Sequence, residues 1–228
     1  MENDPFFRFP HTPHLAWLGS GTPRDDKVLS PADAAGLLAG DVVIEEKLDG
    51  ANLGLSLDQE GRLRSQNRGQ YLHAPFGGQF ARLPDWLAVH EERLAARLTP
   101  ALIAFGEWCA AQHSLDYDTL PDWWLLFDIY DRERGCFWST ARRDAWAEQA
   151  GVVPVERVAR GRFSQPALKN LLRDTRSSYR DGPMEGIVVR AETEDMLVAR
   201  AKLVRADFAQ SIEEHWRSRP LHWNRLGD

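Results

Sequence analysis

The chain has 228 residues, 43% of them hydrophobic, enough for one good core and no more than about two domains. Its net charge of -6 does not advertise general nucleic-acid binding, no apolar stretch reaches membrane-spanning length, and the acidic start Met1-Glu2-Asn3-Asp4 is unlike a secretory signal. Cys109 and Cys136 lack metal-ligand spacing and supply neither a zinc site nor a disulfide framework, so the expectation is a single cytoplasmic domain over residues 1-228 with no membrane partner.

Phe6, Phe7 and Phe9, with Pro10-His11 and Pro13-His14, read as an irregular arm that packs back on the domain. Lys27, after Asp25-Asp26, reads as a solvated charge. Ser30-Pro31-Ala32-Asp33 offers an N-cap, a proline at the first helical position and an acid in the capping-box place, which predicts a short helix toward Gly40. Val42 to Glu46 then reads as a strand delivering Glu45-Glu46-Lys47-Leu48-Asp49-Gly50-Ala51-Asn52. Lysine is scarce: of 28 basic residues only Lys27, Lys47, Lys169 and Lys202 are lysines. An unprotonated amine can attack an activated phosphorus centre, whereas arginine is too basic, and this singles out Lys47 as a candidate nucleophile. Desolvation lowers a lysine's pKa, carboxylates raise it, and a metal occupying those carboxylates changes the balance. Read alone, the octapeptide is first of all a lysine paired with acids at a strand edge.

Leu53 to Leu57 alternates, Asp58-Gln59-Glu60-Gly61 turns, and Arg62 to Gln66 returns antiparallel. The return ends in Ser65-Gln66-Asn67-Arg68-Gly69, where an arginine and two amides can engage ribose or phosphate, or simply form a surface loop. Leu72 to Phe80 reads as loop, and Pro84 to about Leu98 as a helix stopped by Pro100. His73 and His90 have no mutual ligand spacing and read as surface or structural histidines. Leu102 to Trp108 is strand-like and carries Glu107, an acid that a buried sheet keeps only if it is exposed, paired or functional. Trp123 to Tyr130 is a further strand, with Phe127 either core or a base-stacking ring. Gly135 to Trp138 continues that hairpin, Ser139 caps a helix toward Ala150, and Val152 to Val155 forms a short strand.

Between Arg157 and Arg180 the chain sets Arg157, Arg160, Arg162, Lys169, Arg173, Arg176 and Arg180 against Asp174 alone, which makes this the best candidate polyanion surface. Ser164-Gln165-Pro166 starts a helix inside it, through about Arg173. Met184 to Arg190 and Met196 to Val204 are strands joined by a turn over Glu192-Thr193-Glu194-Asp195, and a period of two puts Arg200 and Lys202 on one face. Asp207 to Trp216 closes the series as a helix whose Phe208, Ile212, His215 and Trp216 form a packing stripe.

In order, these pieces meet the needs of nucleotidyl transfer: an amine among acids, an arginine loop, a Gly-Glu strand end, an aromatic-acid strand, a Glu-Gly strand and a two-cation face. The sequence also resembles the covalent nucleotidyltransferases, and within them the ATP-dependent RNA ligases. Lys47-Leu48-Asp49-Gly50 looks like the nucleophile motif K-x-D-G, Ser65 to Gly69 the arginine loop, Phe105-Gly106-Glu107 the strand whose glutamate contacts ribose, and Phe127-Asp128-Ile129-Tyr130 the motif with an aromatic contact to adenine. Glu185-Gly186-Ile187-Val188-Val189-Arg190 looks like the motif with a metal-supporting glutamate, and Arg200-Ala201-Lys202 like the last phosphate-contacting strand, where many relatives have lysine at both positions. K-x-D-G alone is short; five further elements in the same order, over about 42 to 216, give the likeness its weight.

The resemblance implies an α+β fold, a nucleotidyltransferase (adenylation) domain with antiparallel sheets around a nucleotide cleft and flanking helices, the motifs lying over about 42-208 before a short C-terminal helical extension. It implies Lys47 as nucleophile, Asp49 and Glu185 as organisers of Mg2+ or Mn2+, and Lys202 on the reacting phosphate. Glu46, Asn52, Arg68, Glu107, Phe127 and Arg200 join Lys47 and Lys202 as the ATP-binding set. The expected substrate is RNA with 5'-phosphate and 3'-hydroxyl ends, with an RNA-repair protein as a further expected partner. After Lys202 there is no room for the OB-fold domain of typical DNA ligases, which disfavours a full DNA ligase. DNA nick sealing, another adenylyl transfer and a non-catalytic nucleotide-binding regulator remain as alternatives.

Overall fold

Helix α1 (Pro31–Leu37) begins where its cap predicts: Ser30 Oγ accepts from the Asp33 amide at 3.1 Å and Pro31 opens the first turn. The computed structural model describes residues 6–20, 28–211 and 220–227. After α1 the chain forms β1 (Val42–Lys47), β2 (Ala51–Leu57), β3 (Leu63–Gln66), β4 (Tyr71–Leu72) and α2 (Leu83–Arg97). It continues through β5 (Leu102–Trp108), β6 (Trp124–Asp131), β7 (Cys136–Phe137), α3 (Thr140–Ala150), β8 (Val153–Pro154) and β9 (Arg157–Gly161). The last elements are α4 (Gln165–Asp174), β10 (Gly186–Glu192), β11 (Leu197–Val204) and α5 (Ala206–Ser211).

The first sheet has the order β11-β10-β1-β9, antiparallel throughout. Its registers pair Val43 with Arg190, Glu45 with Val188, Arg190 with Arg200 and Val188 with Lys202, so these side chains share one face with Lys47. The opposite face, Val42, Ile44, Ile187, Val189, Ala201 and Leu203, packs on Leu37 of α1 and on Leu168 and Leu172 of α4. Each fully buried aliphatic of this kind contributes roughly 1.5–3 kcal/mol, so the helical coat fixes which face is left for chemistry.

The second sheet has the order β4-β3-β2-β5-β6-β7, with β8 parallel to β6. Leu53, Leu55 and Leu57 pack with Trp86 and Leu94 of α2 and Trp146 and Ala147 of α3. The other face carries Asn52 opposite Glu107 and Gly54 opposite Phe105, and it looks back at the first sheet. The expected arm is present: Phe7 stacks on Tyr130 at 3.7 Å, Phe9 lies 4.9 Å from Phe105, and Pro13 to Leu15 pairs with Lys202 through two 2.8 Å backbone bonds.

Strand β9 was not anticipated, because its Arg-Val-Ala-Arg-Gly sequence reads as part of a basic run and shows no hydrophobic alternation; it is an edge strand held by backbone pairing to β1. Nor was β4, a two-residue strand that overlaps the start of the expected loop at Leu72. Lys27 and most of the stripe expected over Asp207 to Trp216 lie outside the described residues, although Phe208 is buried. Among the described residues no helix is long and apolar enough to cross a membrane.

Candidate functional site

β1 ends in the first sheet and β2 begins in the second, so Leu48-Asp49-Gly50 is the bridge between them. Gly50 makes the crossing because a Cβ there would lie 2.6 Å from the Trp108 carbonyl oxygen, and its amide donates to Glu107 Oε1 at 3.0 Å. The bridge sets Lys47 in a cavity of about 820 Å³ between the sheets. Every residue expected at the site, Glu46, Lys47, Asp49, Asn52, Arg68, Glu107, Phe127, Glu185, Arg200 and Lys202, lines this cavity, and so do His11, His14 and Trp17 of the arm.

Lys47 Nζ lies 2.7 Å from Glu185 Oε1, donates to Glu185 Oε2 at 2.8 Å and to the Leu48 carbonyl oxygen at 3.1 Å. Burial favours the neutral amine, but the charges of Glu185, Glu107 and Asp49 outweigh it and hold the lysine above its ordinary value. The acids respond in turn: burial pushes Glu185 up to about 8 and Glu107 to about 7. Three carboxylates share one ammonium, so the site retains protons where a further cation would be favoured.

Neighbours of the lysine are clamped. Asp49 Oδ2 accepts from the Ser114 and Leu115 amides at 2.7 and 2.9 Å. Glu46 accepts from Ser177 Oγ and from the Ser178 amide at 2.9 Å, and burial raises its pKa. Asn67 Oδ1 accepts from the Gly69 and Gln70 amides at 2.8 and 2.9 Å, shaping the turn that presents exposed Arg68. Asn52 Oδ1 is buried and has no hydrogen-bond partner among the described residues, an open acceptor on the cavity wall.

At the far end the wall depends on a β-bulge. Phe105 pairs with Asp128 but Gly106 with Leu126, leaving Phe127 as the extra residue, so that both Phe127 and Asp128 reach the cavity. Arg143 Nη1 and Arg190 Nη1 donate to the Phe127 carbonyl oxygen at 2.7 and 3.4 Å. Arg143 Nη2 also lies 2.6 Å from Glu45, and Arg190 Nη2 lies 2.9 Å from Asp128, so two buried arginines join the sheets. Arg200 shares the cavity face with Lys202 as its alternation predicts, yet its guanidinium pairs with Asp128 and lies between the Phe9 and Phe137 rings at 4.5 and 4.4 Å. Arg143, Arg190 and the arm had no place among the site residues expected from sequence; the signal available was Arg190 following the apolar run Ile187-Val188-Val189 in β10.

The expected basic surface is largely neutralised. Arg157 lies 2.6 Å from Asp144, Arg162 3.5 Å from Asp41, Arg173 2.7 Å from Asp174 and Arg180 3.0 Å from Asp116, and Arg176 pairs with Asp181. Most of these acids come from distant or later sequence, which is why the linear run looked unbalanced. As for a metal, no group of three or more His, Cys, Asp or Glu side chains among the described residues is arranged to hold one. Hard oxygen donors at Asp49 and Glu185 nonetheless suit Mg2+ or Mn2+, which commonly take one or two carboxylates and complete their shell with water and phosphate.

A family model described as RNA ligase matches residues 40–204. No curated protein matches by sequence. Among solved structures, an archaeal ATP-dependent RNA ligase is 21% identical with a TM-score of 0.64, over 91% of this chain and 50% of that one. Naegleria gruberi RNA ligase with PPi is 16% identical with a TM-score of 0.60, over 93% of this chain and 65% of that one, and variants of that enzyme have been solved with ATP and Mn. A putative ATP-dependent DNA ligase from Aquifex aeolicus is 20% identical with a TM-score of 0.57, over 91% and 52% of the two chains. The chain thus spans about half to two thirds of the length of these structures, and at such identities the likeness is one of fold: an α+β domain of antiparallel sheets with flanking helices.

Proposed function

Because the chain belongs to the RNA ligase family, we propose that it is an ATP-dependent RNA ligase working through a lysyl-AMP intermediate, with residues 1-228 acting as one nucleotidyltransferase unit. The observation that carries this reading is the meeting of Lys47, Glu185, Lys202 and Phe127, distant in sequence, around one cavity. Lys47 Nζ gives up a proton and bonds to the α-phosphorus of ATP as the bond to pyrophosphate breaks. An RNA 5'-phosphate oxygen then takes the AMP from Lys47, and an RNA 3'-hydroxyl attacks the activated 5'-phosphorus, releasing AMP.

In this scheme Phe127 stacks on the adenine, Glu107 meets the ribose, Asn52 uses its open oxygen on the nucleotide, and Arg68 and Lys202 meet phosphate. Glu46 lies at the nucleotide wall. Arg200, engaged with Asp128, supports that wall in preference to binding phosphate. Bound Mg2+ or Mn2+, held by Asp49 and Glu185, would screen the triphosphate charge and relieve the carboxylate hold on Lys47. An RNA-repair protein is proposed as a partner at the strand ends, in a cytoplasmic setting.

Labelled ATP and Mg2+ followed by intact-protein mass analysis tests the scheme: the wild-type chain gains one AMP and Lys47→Ala gains none. An adduct that survives Lys47→Ala removes the nucleophile assignment. The likeness to the Aquifex aeolicus protein keeps DNA nick sealing as the second reading, and preferential sealing of matched DNA nicks over RNA nicks would favour it.

A further inference from the structure

Asn224 lies in the last described segment, far in sequence from every residue named in the chemistry, and it is buried to 4% exposure. Its Nδ2 donates to the carbonyl oxygens of Cys109 and Ala111 at 2.7 and 3.3 Å, and its Oδ1 accepts from the Tyr117 amide at 2.9 Å. Backbone bonds run beside these: Asn224 N to the Ala110 oxygen, Arg225 N to the Tyr117 oxygen and Gln112 N to the His222 oxygen, each 2.9 Å. Residues 220–227 therefore hold the connection between β5 and β6, which has no regular strand or helix of its own.

That connection holds the nucleophile bridge. Tyr117 is buried, and its hydroxyl accepts from the Asp49 amide at 2.8 Å. The Asp49 nitrogen and the Leu48 carbonyl oxygen belong to one planar peptide, so fixing one end fixes the other. The Leu48 oxygen is the group that accepts from Lys47 Nζ at 3.1 Å. We propose that Asn224 and Tyr117 are positioning residues that set the Leu48-Asp49 peptide plane and through it the aim of the Lys47 amine. The proposal rests on Lys47 being the adenylyl acceptor, and it extends the site to a segment beyond the matched residues 40–204.

The test compares Tyr117→Phe, which keeps the ring and removes the hydroxyl, with Asn224→Asp, which keeps the shape and Oδ1 but removes the two Nδ2 donations. Three readouts are taken on the full chain: single-turnover lysine adenylylation at saturating ATP, the ATP concentration for half-maximal rate, and sealing of a pre-adenylylated RNA strand, which needs no attack by lysine. Misaimed attack predicts about a tenfold or greater loss in the first, with the other two within about twofold of wild type. Thermal melts confirm that each variant is folded; if one is not, the other decides. Unchanged adenylylation in the folded variant, or an equal loss in pre-adenylylated sealing, overturns the proposal. A wild-type chain that takes up no AMP overturns the ligase reading and this inference with it, and it does so without reference to either variant.

Discussion

At the scale of single residues, Lys47 shows how one geometry serves two states. Glu185, Glu107 and Asp49 hold the amine protonated, which makes it a good partner and a poor nucleophile. Adenylylation is therefore expected to speed up as pH rises through the neutral range, read as AMP uptake at saturating ATP. Stability should move the other way. Glu107 at about 7 and Glu185 at about 8 both sit above the unfolded 4.5, so the native chain binds protons that the unfolded chain has released. Their contribution is whole below about pH 4.5 and is lost as pH climbs through 7 to 8. Thermal melts without nucleotide should thus fall across pH 5 to 8, and Glu185→Gln should flatten that slope; the same slope in the variant would assign the protons elsewhere.

At the scale of elements, the cavity depends on how closely strands approach and on what ties the sheets. A Cβ on Gly186 would meet the Leu203 carbonyl oxygen at 2.6 Å, so Gly186→Ala must push β10 from β11 beside both Glu185 and Lys202. A loss of about 1–3 kcal/mol in denaturant unfolding, with reduced adenylylation, is expected. Arg143 links α3, Glu45 on β1 and the Phe127 carbonyl on β6. Arg143→Met removes the nearer of the two cations on the buried Glu45 carboxylate, leaving Arg190 at 3.6 Å, and should cost up to about 3–5 kcal/mol by the same measurement. The bulge at Phe127 was hidden in a sequence that reads as plain strand, because the extra residue is defined only against its partner on β5.

At the scale of the whole molecule, charge is arranged more by pairing than by composition. The run from Arg157 to Arg180 looked like a polyanion surface, yet five of its cations face carboxylates supplied by the α1–β1 loop, α3, α4 itself, the β5–β6 connection and the bend at Asp181. Arg173→Ala with Arg176→Ala should accordingly leave RNA affinity within about twofold and the salt slope unchanged, in a binding titration over salt concentration. A slope reduced by about one per residue would return the segment to the RNA-binding surface.

The sequence by itself determined most of the order of elements, the caps at Ser30, Ser139 and Ser164, and the two-cation face at Arg200 and Lys202. These follow from periodicity and local hydrogen bonding, which act over a few residues. Only the tertiary structure decided that Arg200 turns to Asp128, that the basic run is neutralised, that β9 completes the first sheet, and that Asn224 and Tyr117 stand behind Lys47. Most of those depend on partners far along the chain, 72 residues for Arg200 with Asp128, 68 for Asp49 with Tyr117 and 107 for Tyr117 with Asn224, and a contact between distant residues leaves no period in the chain to read.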